Sequence, residues 1–156
     1  MANMLTVAAY ICSRYEEEYG TKIDEMKLHK LMYFAQRESL IQNDKPLFRG
    51  TFRGWKYGPV LKDIREAYQD PSLLPKVSEK TAAELKCVMD IVFREYAQKD
   101  SMSLSRLTHG EISWKKSRKG IAPADNSDNP IRTADIRLDA DRIKERRRML
   151  SDQGLL

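Results

Sequence analysis

The sequence predicts a mainly α fold: a single compact helical domain of about six to seven helices, with a short β-hairpin between the second and third. Three observations predict it. Apolar residues recur at helical spacing through most of the 156 residues. One stretch, 45–57, breaks that period and carries glycines and strand-favouring side chains. The chain is 41% hydrophobic and 33% charged, a globular composition, and is long enough to bury a core without disulfides or a metal.

Met4–Tyr19 reads as the first helix. Leu5, Ala8, Ala9 and Cys12 fall on one face, Val7 and Ile11 widen it, and Gly20 is the stop. Asp24 caps a second helix that runs to about Ile41. Leu28, Leu31, Met32 and Ala35 form its core stripe, with Lys27, Lys30, Gln36 and Arg37 as the polar positions around it. Lys45–Tyr57 is punctuated by Pro46, Gly50 and Gly54 and predicts a hairpin or extended excursion. Gly58-Pro59 then starts the third helix, because proline at the first helical position has no amide hydrogen to waste. Asp70-Pro71 ends it.

After a loop over 71–80, Thr81 with Glu84 resembles a capping box. The helix that follows bears Leu85, Val88, Met89, Val92 and Tyr96 on one stripe. Short helices are expected at Ser103–Leu107 and Glu111–Lys119, the second anchored by Trp114. Gly120–Pro130 is a loop by composition. Thr133 caps the last helix, Ala134–Leu150, so that 131–156 forms a basic C-terminal helix and tail on a domain spanning 1–156.

The net charge of +5 comes with acids interleaved among the bases, which fits a soluble protein biased toward acidic partners and makes DNA a weak expectation. Arg146, Arg147 and Arg148 are spread about 100° apart on a helix and form no single stripe. Cys12 and Cys87 sit among apolar residues and read as buried free thiols of a cytoplasmic protein. No apolar run reaches the ~20 residues of a membrane span, and the N-terminus has no signal-peptide pattern.

A glycine-rich phosphate loop is absent, and two Cys with two His at unrelated spacings offer no metal site. His109-Gly110-Glu111 matches the H-x-E of zinc deaminases without the P-C-x-x-C that must accompany it. No catalytic residues, cofactor, metal or small-molecule substrate are therefore expected.

Three stretches stand out: Lys27–Gln36 (KLHKLMYFAQ), Trp55–Val60 (WKYGPV), and Leu107-Thr108-His109 followed by Trp114. Tyr33, Phe34 and Trp55 read either as core aromatics or as binding anchors, since Tyr and Trp join a broad apolar face to a polar tip. Lys30 and Lys56 read as a solvated face or as a charged rim, and His109 as a backbone-bonding residue.

Together these stretches resemble the Panacea-domain, SocA-like or GepA-like, antitoxins. KLHKLMYFAQ is similar to that family's K-L-x-K-L-x-Y-x-A-Q segment, PLFRGTFRGWKYGPV to its P-L-F and W-x-Y-G-P-V segment, and LTHGEISWKKSRKG to its T-H…W…R region. The resemblance covers roughly residues 4–120. His29 stands where the family commonly has Gln, Arg53-Gly54 replaces an acidic or apolar residue and alanine, and Ser113 stands where a proline often precedes the tryptophan.

The resemblance implies a helical antitoxin, often carried by prophages, that neutralises a cognate protein toxin by direct binding. A branch of the family acts instead as an adaptor to a protease, and a phage accessory protein or a DNA-binding autoregulator are further alternatives. The partner surface is expected at Arg49, Arg53, Trp55, Lys56 and Tyr57, with Lys30 and Tyr33 beside it. Lys27, Leu28, Leu31, Gly58, Pro59, Val60, His109 and Trp114 are expected to hold the motif in shape.

Overall fold

A computed structural model describes residues 1–156. Its organising element is α2 (Glu25–Asn43), which runs through the middle of the protein and is buried at every position from Lys27 to Leu40. The other elements surround it: α1 (Met4–Tyr19), β1 (Arg53–Trp55), β2 (Gly58–Val60), α3 (Lys62–Gln69), α4 (Glu79–Val92), α5 (Ser101–His109), α6 (Ile112–Ser117) and α7 (Thr133–Asp152). A wider π-type turn over Phe93–Ala97 extends α4. The seven helices and the hairpin between α2 and α3 form the single domain that the pattern predicts.

Gly20 ends α1 and Asp24 starts α2 as the sequence predicts, while α2 runs to Asn43. The Asn3 side chain accepts from the backbone of Leu5 and Thr6, and Gly20 closes α1 with φ of 71°. Asp24 accepts from Lys27 N at 2.8 Å and caps α2. The rest of α2 departs from the expected single stripe. Its polar residues are inside, because neighbours close over all of its faces, and almost all of them are satisfied by distant segments. Lys27 donates to Tyr15 Oη and the Ala97 carbonyl. Gln36 acts as a piece of strand, donating to the Phe48 carbonyl and accepting from Leu47 and Phe48 N–H. Glu38 accepts both Arg147 terminal nitrogens at 2.9 Å.

The hairpin lies three to eight residues later than expected. Arg53 pairs with Val60, Gly54 with Pro59 and Trp55 with Gly58, so Lys56-Tyr57 is a two-residue turn. Gly58-Pro59 therefore belongs to β2 and does not begin a helix; α3 starts at Lys62. Proline is tolerated because Gly54 and Pro59 face each other at the position where the strands exchange no hydrogen bonds. Beyond β1, Gly54 N donates to the Asn129 carbonyl and Ile131 N to the Phe52 carbonyl, so 129–131 lies along the hairpin's outer edge.

Four smaller expectations also change. Ser78 caps α4, bonding Thr81 N, so the helix begins before the supposed Thr81–Glu84 box. Arg132, not Thr133, holds the cap position of α7, without a side-chain bond. Cys87 is exposed, since Leu85, Val88, Met89 and Val92 form the inner face of α4 and residue 87 falls opposite them. Cys12 is half-buried, and burial pushes its thiol up to about 11. No helix is long and apolar enough to cross a membrane.

Candidate partner-binding site

The hairpin is fixed on all sides but its tip. Gly58 has φ of +122°, a conformation that side chains strain to adopt, and a Cβ there would lie 2.6 Å from Lys30 Cε and 2.7 Å from Thr108 Oγ1. Gly54 is equally constrained, because an added Cβ would lie 2.0 Å from Ser117 Oγ. Ser105 Oγ donates to the Tyr57 carbonyl and Trp114 Nε1 to the Trp55 carbonyl, tying the turn to α5 and α6. His109 stacks on Trp114 at 4.2 Å, and the Arg118 guanidinium lies over the same indole, 5.5 Å from its ring centre.

The loop over 120–130 acts as a strap. Asp128 accepts from Trp55 Nε1 at 2.8 Å and pairs with Lys62, while Asn126 accepts from Lys56 N. Arg118 binds the Gly54 carbonyl on one side and those of Ala122 and Asp125 on the other.

Between the hairpin, α2 and α3 lies a cleft of about 560 Å³. Lys30 and His29 reach it from α2, and Trp55, Lys56 and Tyr57 from the hairpin. Glu25, Met26, Val60, Arg65 and Asn126 complete it. Tyr57 is half exposed, with the Lys56 ammonium 5.0 Å from its ring centre. Arg65 lies over Trp55 at 5.3 Å and 3.6 Å from Glu25 Oε2. The Leu61 N–H donates to His29 Nδ1, which leaves the ring proton on Nε2 to meet Glu25 at 3.1 Å. Burial pushes His29 down to about 4 despite Glu25, so the ring is neutral at pH 7.

Of the seven residues expected to contact a partner, the structure gathers four at this cleft: Lys30, Trp55, Lys56 and Tyr57. Lys30 is the floor and not a rim, being 1% exposed. Tyr33 cannot offer a contact surface. It is wholly buried, and its hydroxyl donates to Asp139 and meets Ser113 Oγ at 2.9 Å. Arg49 is exposed but lies by a separate depression with Met4 and Asp63. Arg53 turns its guanidinium to the Asp128 carbonyl. The motif residues Lys27, Leu28, Leu31, Pro59 and Val60 are buried.

Glu25, His29, Arg65 and Asn126 were not among the expected site residues. The i, i+4 spacing of Glu25 and His29 was the one available signal for that pair. Nothing local marks Arg65 or Asn126, which meet the cleft only through tertiary packing.

The other end of α2 carries a second polar cluster. Arg37 pairs with Glu111 and donates to Tyr96 Oη, and Arg142 reaches Glu111 at 3.2 Å. Burial pushes the Glu111 carboxyl up to about 7 against the pull of Arg37. Burial also acts to raise Asp139, but hydrogen bonding with Glu111 and Ser113 and the backbone N–H groups of Ile112 and Ser113 outweigh it and hold it low. Ser113 N–H is one of those donors, a bond that a proline at 113 could not make.

Comparison with known proteins bears on both clusters. The family described as "Antitoxin SocA-like, Panacea domain" matches residues 28–115, which include Lys30, the hairpin, His109 and Trp114. Antitoxin SocA of Caulobacter vibrioides (strain NA1000 / CB15N) is 45% identical over 38 residues, 24% of this chain and 20% of that protein. The matched stretch thus spans about a fifth of that relative's length. No solved structure matches. With over half of its residues inside the family's domain, the chain belongs to the SocA-like antitoxins with a Panacea domain.

Proposed function

We propose that this protein is the antitoxin of a toxin–antitoxin pair and neutralises a cognate protein toxin by binding it directly, with no chemical step of its own. One observation carries the choice of surface. The W-x-Y-G-P-V residues lock the hairpin backbone from behind while leaving Lys56 and Tyr57 at its tip, Tyr57 half exposed under a lysine ammonium. A rigid aromatic anchor with a cationic neighbour is the arrangement that holds a protein partner with little ordering cost. Arg65 and Lys56 on the rim favour an acidic partner face.

The test begins with the protein encoded by the adjacent reading frame. It is expected to arrest growth when expressed alone and to be silenced when co-expressed with this chain. Purified, the two should form a complex that Lys56→Ala with Tyr57→Ala weakens by about tenfold or more, while the melting curve of the free protein barely moves. Undiminished affinity in that folded double variant would remove the hairpin tip from the interface. Rescue that disappears in protease-deficient cells would replace direct blocking with delivery for degradation.

A further inference from the structure

Lys30 is the one buried cation of α2 that the protein does not pair. Lys27, one turn earlier, has Tyr15 Oη and the Ala97 carbonyl. Arg37 has Glu111 and Tyr96. Lys30 makes no hydrogen bond and no ion pair, although it is 1% exposed. The groups around it are already engaged. Thr108 Oγ1 donates to the Ser105 carbonyl. Both nitrogens of His29 are used by Leu61 and Glu25, and Glu25 also faces Arg65. Asp24 favours the charged form only from a distance, its oxygen being occupied by Lys27 N and Ser101 Oγ. Burial accordingly pushes the ammonium down to about 8, which still leaves it mostly charged at pH 7.

A buried ammonium with no partner is costly, and its cost is withdrawn when an anion arrives. The ammonium is the floor of the cleft, and the surroundings say which anion fits. Met26, Val60 and the Trp55 indole give apolar walls. Lys56 and Arg65 stand at the rim. The floor presents a single cationic donor, which suits a carboxylate; a phosphate calls for several converging donors. Apolar walls suit a methylene stem behind that carboxylate, and the rim cations outnumber Glu25, so an acidic segment is drawn in.

We propose that this cleft is a carboxylate-binding socket and that its occupant is an aspartate or glutamate side chain of a partner polypeptide, with Lys30 as the buried counter-charge. The partner's identity as the toxin rests on the function proposed above; the socket itself does not.

Two experiments separate those claims. In the first, the full chain with ¹³C-labelled lysines is titrated by NMR with N-acetylglutamate N-methylamide and with its glutamine analogue. The acidic probe is expected to raise the Lys30 pKa by about one unit or more, and the neutral analogue to bind at least about tenfold more weakly. An unmoved Lys30 titration, or an equal response to both probes, overturns the socket whatever the toxin does. In the second, Lys30→Met is compared with wild type for affinity to the toxin and for growth rescue. A loss of about tenfold or more with an unchanged or higher melting temperature supports insertion of a partner carboxylate. Unchanged affinity beside a positive probe titration overturns the partner and assigns the cleft to a free small carboxylate. Should Lys30→Met fold poorly, charge reversal of each acidic residue on the toxin gives the same reading from the other side: one must lose affinity, and none losing it overturns the proposal. Failure of the wild-type chain to rescue growth rejects the antitoxin reading alone.

Discussion

Lys30 and Arg37 lie two turns apart on one helix, both are buried, and the protein treats them in opposite ways. Around Arg37 it supplies Glu111, Tyr96 and the flat ring of Phe34, leaving only Nε without an acceptor. Around Lys30 it supplies apolar carbon, a hydroxyl that donates elsewhere and an opening to solvent. A buried charge with its partner built in is a structural fastener, here joining α2 to the start of α6 and to the turn that extends α4. A buried charge without one must find its partners outside the protein, here through the cleft. The difference also teaches that a motif is not of one kind. The segment KLHKLMYFAQ contributes core, a strand mimic in Gln36 and a site residue in Lys30, all from a single helix.

The largest effect is expected at Arg37. Arg37→Met removes the cation and leaves Glu111 buried beside Asp139, so a loss of about 3–5 kcal/mol is expected from urea unfolding. A loss under about 1 kcal/mol would put Arg37 in the same class as Lys30. The next effect has the opposite sign. The Lys30 ammonium titrates at about 8 in the folded protein against an ordinary 10.5, so the unfolded chain binds the extra proton between those values. Stability is therefore reduced below pH 8 and recovers as pH rises toward 10.5, by about 2–3 kcal/mol. Lys30→Met should raise stability at pH 7 and flatten this rise, as the difference between wild-type and variant unfolding curves at pH 7 and pH 10 will report. The smallest effect is at Arg147, whose partner Glu38 is buried while Arg147 itself stays one-third exposed. Arg147→Ala should cost about 1 kcal/mol, and a calorimetric shift as large as that of Arg37→Met would mean that burial of one partner is enough.

Much of the fold was legible because it rests on local rules. Gly20 and Asp24 bound α1 and α2 where the pattern places them, and the period break after Lys45 announced the hairpin. What was illegible depends on distant segments. Lys27, Arg37 and Glu38 look like surface residues in a window of sequence, because their partners Ala97, Glu111 and Arg147 lie 70, 74 and 109 positions away. Gly58-Pro59 satisfies a local rule for starting helices, yet Gly58 closes a two-residue turn with a φ no helix contains, and Lys30 and Thr108 behind it leave no room for a Cβ. At the site, aromatic and basic residue types pointed to Trp55, Lys56 and Tyr57, whereas Tyr33 and Lys30 share the same chemistry but sit on the inward faces of a helix enclosed from all sides.

The strap over 120–130 has a consequence for how such a protein diversifies. It lies beyond the 28–115 domain, yet it closes the outer edge of β1 and sets the approach to the hairpin through Asn126 and Asp128. A partner cannot extend the sheet by adding its own strand at that edge, because 129–131 already occupies it. Access is left to the tip and the cleft. Replacing the exposed residues of that loop would reshape the entrance while α2 and its buried charges stay untouched.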